Sequence, residues 1–294
     1  MEIRLLKTFL AIVEFGTITE AANALHTTQP ALSRQLMQLE SELGTKLFNR
    51  DKKRMSLTEN GLLLQRRARD ILSLVDMTES ELSADAEIME GNISIGAGEL
   101  ASLDELLSIV TTFHDMHPNV VFNMHTGIAN EVAENLERGL YDFGLFLEPA
   151  DMTGYDYIRM KTPERWVAAM PVDDPLTKKA VIKPADLLDR QIILPARKGV
   201  QSELARWFGN AYGRIDVHFT VNLGGLATAM LAHKIGILLC VEGSCNTRDK
   251  SIVTTRPLKP GITSGSLLAW KRDVAQTNAV HAFIEHARSF YTVS

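Results

Sequence analysis

The sequence lacks any long apolar run. No stretch approaches the roughly 18 uninterrupted apolar residues of a membrane span, although 45% of the residues are hydrophobic. Cysteine is scarce: Cys240 and Cys245 cannot build a disulfide scaffold, and their spacing is not C-x-x-C, which suits a reducing compartment. The net charge of -5 and the 23% of charged residues are ordinary. These features exclude membrane, collagen-like and disordered proteins and predict a globular chain of about two domains.

The local motifs of common enzyme classes are also missing. The sequence contains no G-x-x-x-x-G-K-[ST], H-E-x-x-H, G-x-S-x-G or G-x-G-x-x-G. His114 and His117 share a helical spacing, but no further metal ligands accompany them. We therefore expect no catalytic residue, metal or cofactor, although a triad assembled in space needs no local motif. Charges interrupt the apolar residues at the amino terminus and no cleavage site follows, so we expect a cytoplasmic protein without an export signal.

The first sixty residues have the pattern of a winged helix-turn-helix. Apolar residues recur at helical spacing over 3–14, and Thr17 or Thr19 can begin a second short helix. A third helix begins after Thr28 and ends at Gly44, with a predicted core stripe of Leu32, Leu36, Leu39 and Leu43. Two short strands around a charged tip follow as the wing. In such a domain the later helix of the pair lies in the major groove of DNA.

The face opposite the leucines predicts DNA contacts. Glutamine and arginine can make bidentate bonds to adenine and guanine respectively. Residues 28–69 hold nine basic and four acidic side chains, which is a strong local excess in an acidic protein. The base-reading candidates are Gln29, Ser33, Arg34 and Gln35, with Gln38 further along, and the phosphate or minor-groove candidates in the wing are Arg50, Lys52, Lys53 and Arg54.

A long helix is predicted over 59–90. Apolar residues fall on a 4-3 repeat, which is typical of a coiled-coil seam between two copies of one helix. The proposed seam comprises Leu64, Ala68, Ile71, Val75 and Leu82, with Thr78 and Met89 on the same repeat. The alternative is an ordinary amphipathic helix that packs on its own chain.

From residue 91 onwards, strands alternate with helices, which favours α/β architecture with mostly parallel sheets. Interruptions near Pro163 and at Ser264-Gly265 divide this part into lobe I, about 91–162 and 266–294, and lobe II, about 163–265. Ligands of open α/β sheets bind at the carboxyl ends of strands, where helix N-termini attract anions. The effector candidates are therefore Leu100, Ala101, Ser102, Thr126 and Gly127 in lobe I, and Gln201, Ser202, Asn222 and Leu223 in lobe II. A small carboxylate is the expected ligand; Ser102 and Ser202 could instead be simple helix caps.

The order of the amino-terminal motifs resembles the LysR-type transcriptional regulators. The resemblance is carried by Ala21-Ala22, the run from Gln29 to Ser33, Leu39-Glu40, Leu43-Gly44, Leu47-Phe48 and Leu57-Thr58 with Gly61. It implies DNA contacts by Thr28, Gln29, Pro30, Ser33, Arg34 and Arg54. It also implies a two-lobed effector-binding domain that resembles periplasmic binding proteins, and a tetramer built as a dimer of dimers.

The three domains expected are therefore a DNA-binding domain at 1–58, a dimerisation helix at 59–90 and an effector-binding domain at 91–294. We interpret the chain as a sequence-specific regulator of transcription that binds a pseudo-palindromic promoter site in double-stranded DNA and is modulated by a small molecule. The alternative is a solute-binding or sensory protein with a basic amino-terminal appendage. Such a protein would need export to meet its solute, which the expected absence of a signal disfavours.

The seam can be tested at its centre. We expect Val75→Asp to separate the two copies of the helix, because it places a like charge from each chain at a contact that excludes water. Light scattering should then report a lower mass than for the parental protein. An unchanged mass would remove Val75 from the dimer contact.

Overall fold

The computed structural model describes residues 2–49, 55–82, 89–245 and 251–291. The chain divides into two compact units, residues 1–91 with 273–282 and residues 92–272 with 283–294. Within the described ranges, no helix is both long and apolar enough to cross a bilayer. The elements of the amino-terminal part are α1 Ile3–Phe15, α2 Ile18–Ala24, α3 Gln29–Leu43, β1 Phe48–Asn49, β2 Ser56–Leu57 and α4 Glu59–Leu82.

The helices α1, α2 and α3 share one apolar core. Gly16 ends α1 in a left-handed conformation (φ 72°), and the Thr17 side chain then accepts the Glu20 N–H at the start of α2. The predicted leucine stripe of α3 is buried at Leu32, Leu36 and Leu39. Leu43 is instead 39% exposed, which corrects its assignment to the core. The core contact of the stripe thus stops one turn before the helix ends at Gly44.

Helix α4 packs its first turns into this same core. Ala68 has no exposed surface, while Leu64 and Ile71 are partly buried against the core residues. Ala68 is therefore wrong as a member of a seam between chains, because its side chain is already enclosed by its own. For Leu64 and Ile71 the alternative of packing within the chain holds at least in part, and Val75 is also partly buried.

The end of the predicted long helix differs from expectation. Helix α4 is described as far as Leu82, and Met89 and Glu90, the last two residues of the predicted range, are not helical. The side chains of Thr78 and Leu82 lie outside the described residues, as do residues 83–88. Pairing of the helix with a second copy therefore remains a prediction, and it now applies mainly to the later turns of α4.

The carboxy-terminal part contains two sheets, each the centre of one lobe. The lobe I sheet has the order β4-β3-β5-β13-β6, and the lobe II sheet has the order β11-β7-β10-β8-β9, with β12 paired to β7. The first elements are β3 Gly91–Ala97, α5 Leu103–Met116, β4 Val120–Thr126, α6 Ala129–Glu137, β5 Phe143–Leu147, β6 Tyr155–Arg159, β7 Glu164–Pro171 and β8 Gln191–Pro195. They continue as α7 Lys198–Phe208, β9 Asp216–Val221, α8 Gly224–Ala232, β10 Ile237–Val241, β11 Val253–Pro257, β12 Thr263–Ser264, β13 Ser266–Lys271 and α9 Asn278–Ser289.

Both sheets are mixed rather than mostly parallel, which corrects the expectation from alternation. In lobe I, β13 runs antiparallel to β5 and β6; in lobe II, β7 runs antiparallel to β10 and β11. These are the strands that join the lobes, since the chain passes from β6 to β7 and returns from β12 to β13. A strand that enters a sheet from the other lobe arrives without a βαβ crossover, so nothing forces it to be parallel.

One glycine of α4 is required by close packing. A Cβ added at Gly61 would lie 2.1 Å from the Leu47 carbonyl oxygen, which belongs to the rigid start of the wing. Thr58 ties the same region together, since its Oγ1 donates to the Lys46 carbonyl and accepts the Gly61 N–H.

We expect Gly61→Ala to destabilise the amino-terminal unit by about 1–3 kcal/mol, because the backbone must shift to admit the methyl group. Gly225→Ala is the matched control: it is also helical, has open space around its Cβ, and should be neutral or gain about 0.5–1 kcal/mol from helix propensity. Urea unfolding followed by circular dichroism measures both. Equal stabilities of the two variants would contradict the packing argument.

Candidate functional site

The first turn of α3 presents polar side chains to solvent. Thr28 is its N-cap residue but makes no side-chain capping bond, and Pro30 occupies the first turn, where its missing N–H costs nothing. Thr28, Gln29 and Pro30 are exposed, and Ser33 is half-buried on the next turn. The predicted reading surface is therefore accessible at the end of the helix that a helix-turn-helix directs at base edges.

Further along α3, the residues predicted to contact DNA differ in their exposure and hydrogen bonds. Arg34 is exposed and its Nε donates to the Pro30 carbonyl at 3.3 Å. Gln35, however, is partly buried, and its Oε1 accepts a hydrogen bond from the buried Thr8 hydroxyl of α1. Gln35 therefore fixes α3 against α1, and its assignment to the DNA-reading face is corrected. Gln38 lies on the exposed side and donates to Glu42.

A buried carboxylate attaches the wing to α3. Glu40 is 4% exposed, and its Oε1 accepts the Leu47 N–H at 3.0 Å while its Oε2 pairs with Lys46 Nζ at 2.6 Å. These bonds determine where β1 begins and hence where the wing leaves the domain. The predicted phosphate contacts Arg50, Lys52, Lys53 and Arg54 lie outside the described residues.

The carboxy-terminal unit contains a cavity of about 610 Å³ between the two lobes. Its wall is mainly apolar and is formed by strand ends and helix starts of both lobes, as expected for a ligand site of this architecture. The polar lining residues are Glu99, Asn130, Arg197, Lys198, Asn222 and Ser244, and the larger apolar ones are Leu100, Ile128, Leu145, Leu147, Trp166, Pro195, Val200, Val221, Leu223, Cys240 and Val241.

Four of the predicted effector residues line this cavity, namely Leu100, Gly127, Asn222 and Leu223. They follow strands β3, β4 and β9, so the rule that places ligands at the carboxyl ends of strands led to loops that line the cavity. Their contact with an effector stays a prediction.

Ala101 and Ser102 are not part of the cavity lining, and their N–H groups already bind a carboxylate of the same chain. The Glu164 carboxylate accepts both of their backbone N–H groups at 2.9 Å, and both Glu164 and Ser102 are completely buried. The N-terminus of α5 therefore already holds a negative charge from the chain itself. We therefore correct their assignment as effector contacts: Ala101 and Ser102 bind the Glu164 side chain and do not line the cavity.

Gln201, Ser202 and Thr126 also lie away from the cavity wall. Helix α7 begins at Lys198, so Gln201 and Ser202 lie inside the helix rather than at its start. Gln201 Nε2 donates to the Pro195 carbonyl at 2.8 Å, and Ser202 Oγ donates to the Lys198 carbonyl at 3.2 Å. Thr126 is exposed at the end of β4 and does not reach the wall.

The sequence did not indicate the groups that cross between the lobes. Arg197 of lobe II donates through Nη1 to the Leu147 carbonyl of lobe I at 2.8 Å and through Nη2 to that of Pro149. Burial lowers the pKa of the Arg197 guanidinium from its usual value. In the other direction, Glu99 Oε2 of lobe I accepts the Gly224 N–H at the start of α8 at 2.8 Å. No local motif marks either residue, since each depends on a partner more than 45 positions away.

The described residues contain no group of three His, Cys, Asp or Glu side chains arranged to hold a metal ion. His114 Nδ1 lies 3.2 Å from the Val120 carbonyl oxygen, so this histidine links α5 to β4 within lobe I.

Comparison with known proteins matches both parts of the chain. The profile of the bacterial regulatory helix-turn-helix protein, lysR family, matches residues 3–62, and that of the LysR substrate binding domain matches residues 87–291. The HTH-type transcriptional regulator YvbU of Bacillus subtilis is 28% identical over 293 residues, 99% of both chains. The Hca operon transcriptional activator HcaR of Escherichia coli K12 is 29% identical over 286 residues, 92% of both chains. The solved structure of CbnR in complex with its target DNA has a TM-score of 0.65 at 22% identity, covering 98% of this chain and 99% of that one.

We expect Glu164→Ala to lower the free energy of unfolding by about 2–4 kcal/mol, because it leaves the Ala101 and Ser102 N–H groups buried without an acceptor. Glu164→Gln should lose less, since one carbonyl oxygen remains. Glu285→Ala, which removes an exposed carboxylate paired with Arg288, is the control and should change stability by less than about 1 kcal/mol. Urea unfolding and amide hydrogen exchange at residues 101 and 102 are the measurements. Unchanged exchange in Glu164→Ala would contradict the capping role.

Proposed function

The chain belongs to the LysR family of transcriptional regulators and is thus a sequence-specific DNA-binding regulator with an effector-binding domain. We propose that the first turn of α3 reads the bases of the promoter site and that a small carboxylate is the effector of this protein. The observation that carries the first part is the exposed row Thr28, Gln29, Pro30 and Arg34 at the start of α3. The observation that supports the second is a mainly apolar cavity with Arg197 and Lys198 in its wall.

The chemistry of α3 suits base recognition. Gln29 can bond adenine through N6 and N7, and Arg34 can bond guanine through O6 and N7. On binding DNA, Arg34 would give up only a weak intrahelical hydrogen bond to the Pro30 carbonyl. The wing would add phosphate contacts through Arg50, Lys52, Lys53 and Arg54, which raise affinity more than specificity.

The cavity offers an anionic ligand a favourable position at the start of α7. The N-termini of α5 and α8 already hold Glu164 and Glu99, so those sites are unfavourable for a second carboxylate. The N-terminus of α7 has no side-chain cap, and its first residues Lys198, Gly199 and Val200 line the wall next to Arg197. A carboxylate there would meet the helix dipole and two cations, while its apolar part would contact Trp166 and the neighbouring aliphatic side chains.

Family membership also guides the remaining proposals. We expect a homo-oligomer, a dimer of dimers, in which the later turns of α4 pair and the half-sites of a pseudo-palindromic operator lie near one helical turn of DNA or a multiple of it apart. A regulator of this kind acts where the chromosome is, so we expect it in the cytoplasm, and we expect no turnover of the effector. The solute-binding alternative loses its basis, because the basic amino-terminal segment is a helix-turn-helix of the lysR family.

The effector can act only by binding one arrangement of the protein more tightly than another. Couplings of about 1–3 kcal/mol are typical of such regulators. The bonds that Arg197 and Glu99 make across the cleft are the contacts that a ligand entering the cavity would strengthen or replace.

For DNA reading, we expect Arg34→Ala to cost about 1–3 kcal/mol of binding to the specific site, through the loss of a bidentate base contact. Fluorescence anisotropy on the DNA upstream of the gene, against a scrambled duplex, measures both affinities across a salt series. Arg206→Ala is the control, since it removes an equal, exposed charge from α7. An equal loss on both duplexes would make Arg34 a phosphate contact instead.

For the effector, we expect a screen of small carboxylates by tryptophan fluorescence to find a ligand whose affinity falls about tenfold in Lys198→Ala, the effect of one charge-assisted hydrogen bond of ~1.5 kcal/mol. Lys234→Ala, an exposed lobe II lysine paired with Asp173 and absent from the cavity wall, is the control. Recovery of unchanged ligand tests the absence of turnover. Equal affinity of both variants would exclude the α7 position while leaving the DNA-binding function untouched.

A further inference from the structure

The two cysteines of the chain lie in contact. Cys240 belongs to strand β10, and Cys245 ends the short 3₁₀ helix Glu242–Cys245 that follows. Their Sγ atoms are 3.3 Å apart, and no other cysteine occurs in the 294 residues. Two thiols at this distance have no atom between them, so a bond between the sulfurs can form once an oxidant has removed two electrons from the pair.

The two thiols differ in their secondary structure and in their exposure to solvent. Cys240 is 5% exposed and is held in the centre of the lobe II sheet, opposite Val167 of β7. Cys245 is partly exposed at the end of a single helical turn. A disulfide needs an S–S distance of about 2.05 Å, so the sulfurs must approach by roughly 1.3 Å. Because the strand is fixed on both sides, Cys245 and the turn that carries it must supply most of this movement.

The same turn also touches lobe I. A Cβ added at Gly243 would lie 2.1 Å from the Ala101 backbone nitrogen, so the turn runs directly against the loop that leads into α5. Ser244 Oγ donates to the Glu99 carbonyl oxygen at 3.0 Å. Cys240 and Ser244 both line the cavity between the lobes. A bond that displaces this turn therefore alters the contact across the cleft.

We propose that Cys240 and Cys245 form a reversible disulfide when a peroxide reaches the protein, and that this bond loosens the contact between the lobes. The peroxide oxidises the accessible Cys245 thiol to a sulfenic acid and is itself reduced to water. The Cys240 sulfur then attacks the Cys245 sulfur, the S–S bond forms, and the hydroxyl leaves with a proton as a second water. Two thiols thus lose two electrons and two protons to one peroxide, and a dithiol reductant reverses the change. Transient disulfides of this kind are compatible with a reducing compartment.

The thiol chemistry is tested on the full-length reduced protein. Hydrogen peroxide treatment followed by alkylation and mass spectrometry should give a monomeric chain that has lost two hydrogen atoms, carries no alkyl group and is restored by dithiothreitol. In Cys240→Ser, Cys245 should be trapped by dimedone as a sulfenic acid. In Cys245→Ser, Cys240 should remain open to alkylation after unfolding. Persistence of both thiols, or oxidation of Cys245 to sulfinic acid without bonding to Cys240, would overturn the proposal.

The structural consequence has its own readout. Amide hydrogen exchange at Gly224, whose N–H is held by Glu99 across the cleft, should become at least severalfold faster in the oxidised protein. The double variant with serine at both positions, checked for its fold by circular dichroism, should show no response to peroxide. A disulfide that forms without changing exchange at this amide would overturn its role at the cleft.

Discussion

Glu164 provides the interaction on which the two-lobed unit depends. It is the first residue of β7, where the chain has just entered lobe II, and its side chain reaches back to the two amides immediately before α5 in lobe I. Its backbone also pairs with Ser264 of β12, immediately before the chain returns. A completely buried carboxylate requires strong compensation. Here the compensation comes from two N–H groups at a helix N-terminus, so the charge, the helix and both crossings between the lobes are fixed together.

A carboxylate that accepts backbone N–H groups also occurs at two other places where elements meet. Glu99 accepts an amide at the start of α8, and Glu40 accepts the Leu47 amide where the wing begins. In each case a carboxylate satisfies backbone donors that no regular hydrogen bond serves. The consequence for function is that two helix N-termini near the cleft are already neutralised by the chain. An anionic ligand in the cavity would therefore have to bind at the start of α7, which has no side-chain cap, or compete with Glu99.

The contacts across the cleft are of two physical kinds. Arg197 and Glu99 join the lobes through polar bonds to backbone groups, and the turn Glu242–Cys245 joins them by close packing. Polar bonds of this kind are exchangeable, since an incoming ligand can offer equivalent donors and acceptors. Packed backbone is not exchangeable, so it changes only when the turn itself is moved, as a bond between its cysteine and the neighbouring strand would do.

The sequence by itself determined the local elements and their order. The spacing of apolar residues located α1 and α3 and indicated the alternation of strands and helices after residue 91, because helix and strand periods are properties of neighbouring residues. The motif order around Gln29 to Ser33 identified the family, and the ends of β3, β4 and β9 led to Leu100, Gly127, Asn222 and Leu223 in the cavity wall. Only the tertiary structure decided how the remaining polar groups are used. It turned Gln35 towards Thr8, buried Ala68 within its own chain and gave the amides of Ala101 and Ser102 to Glu164. It also brought Arg197 to the cleft, because a buried hydrogen bond depends on partners distant in sequence, which no local pattern encodes.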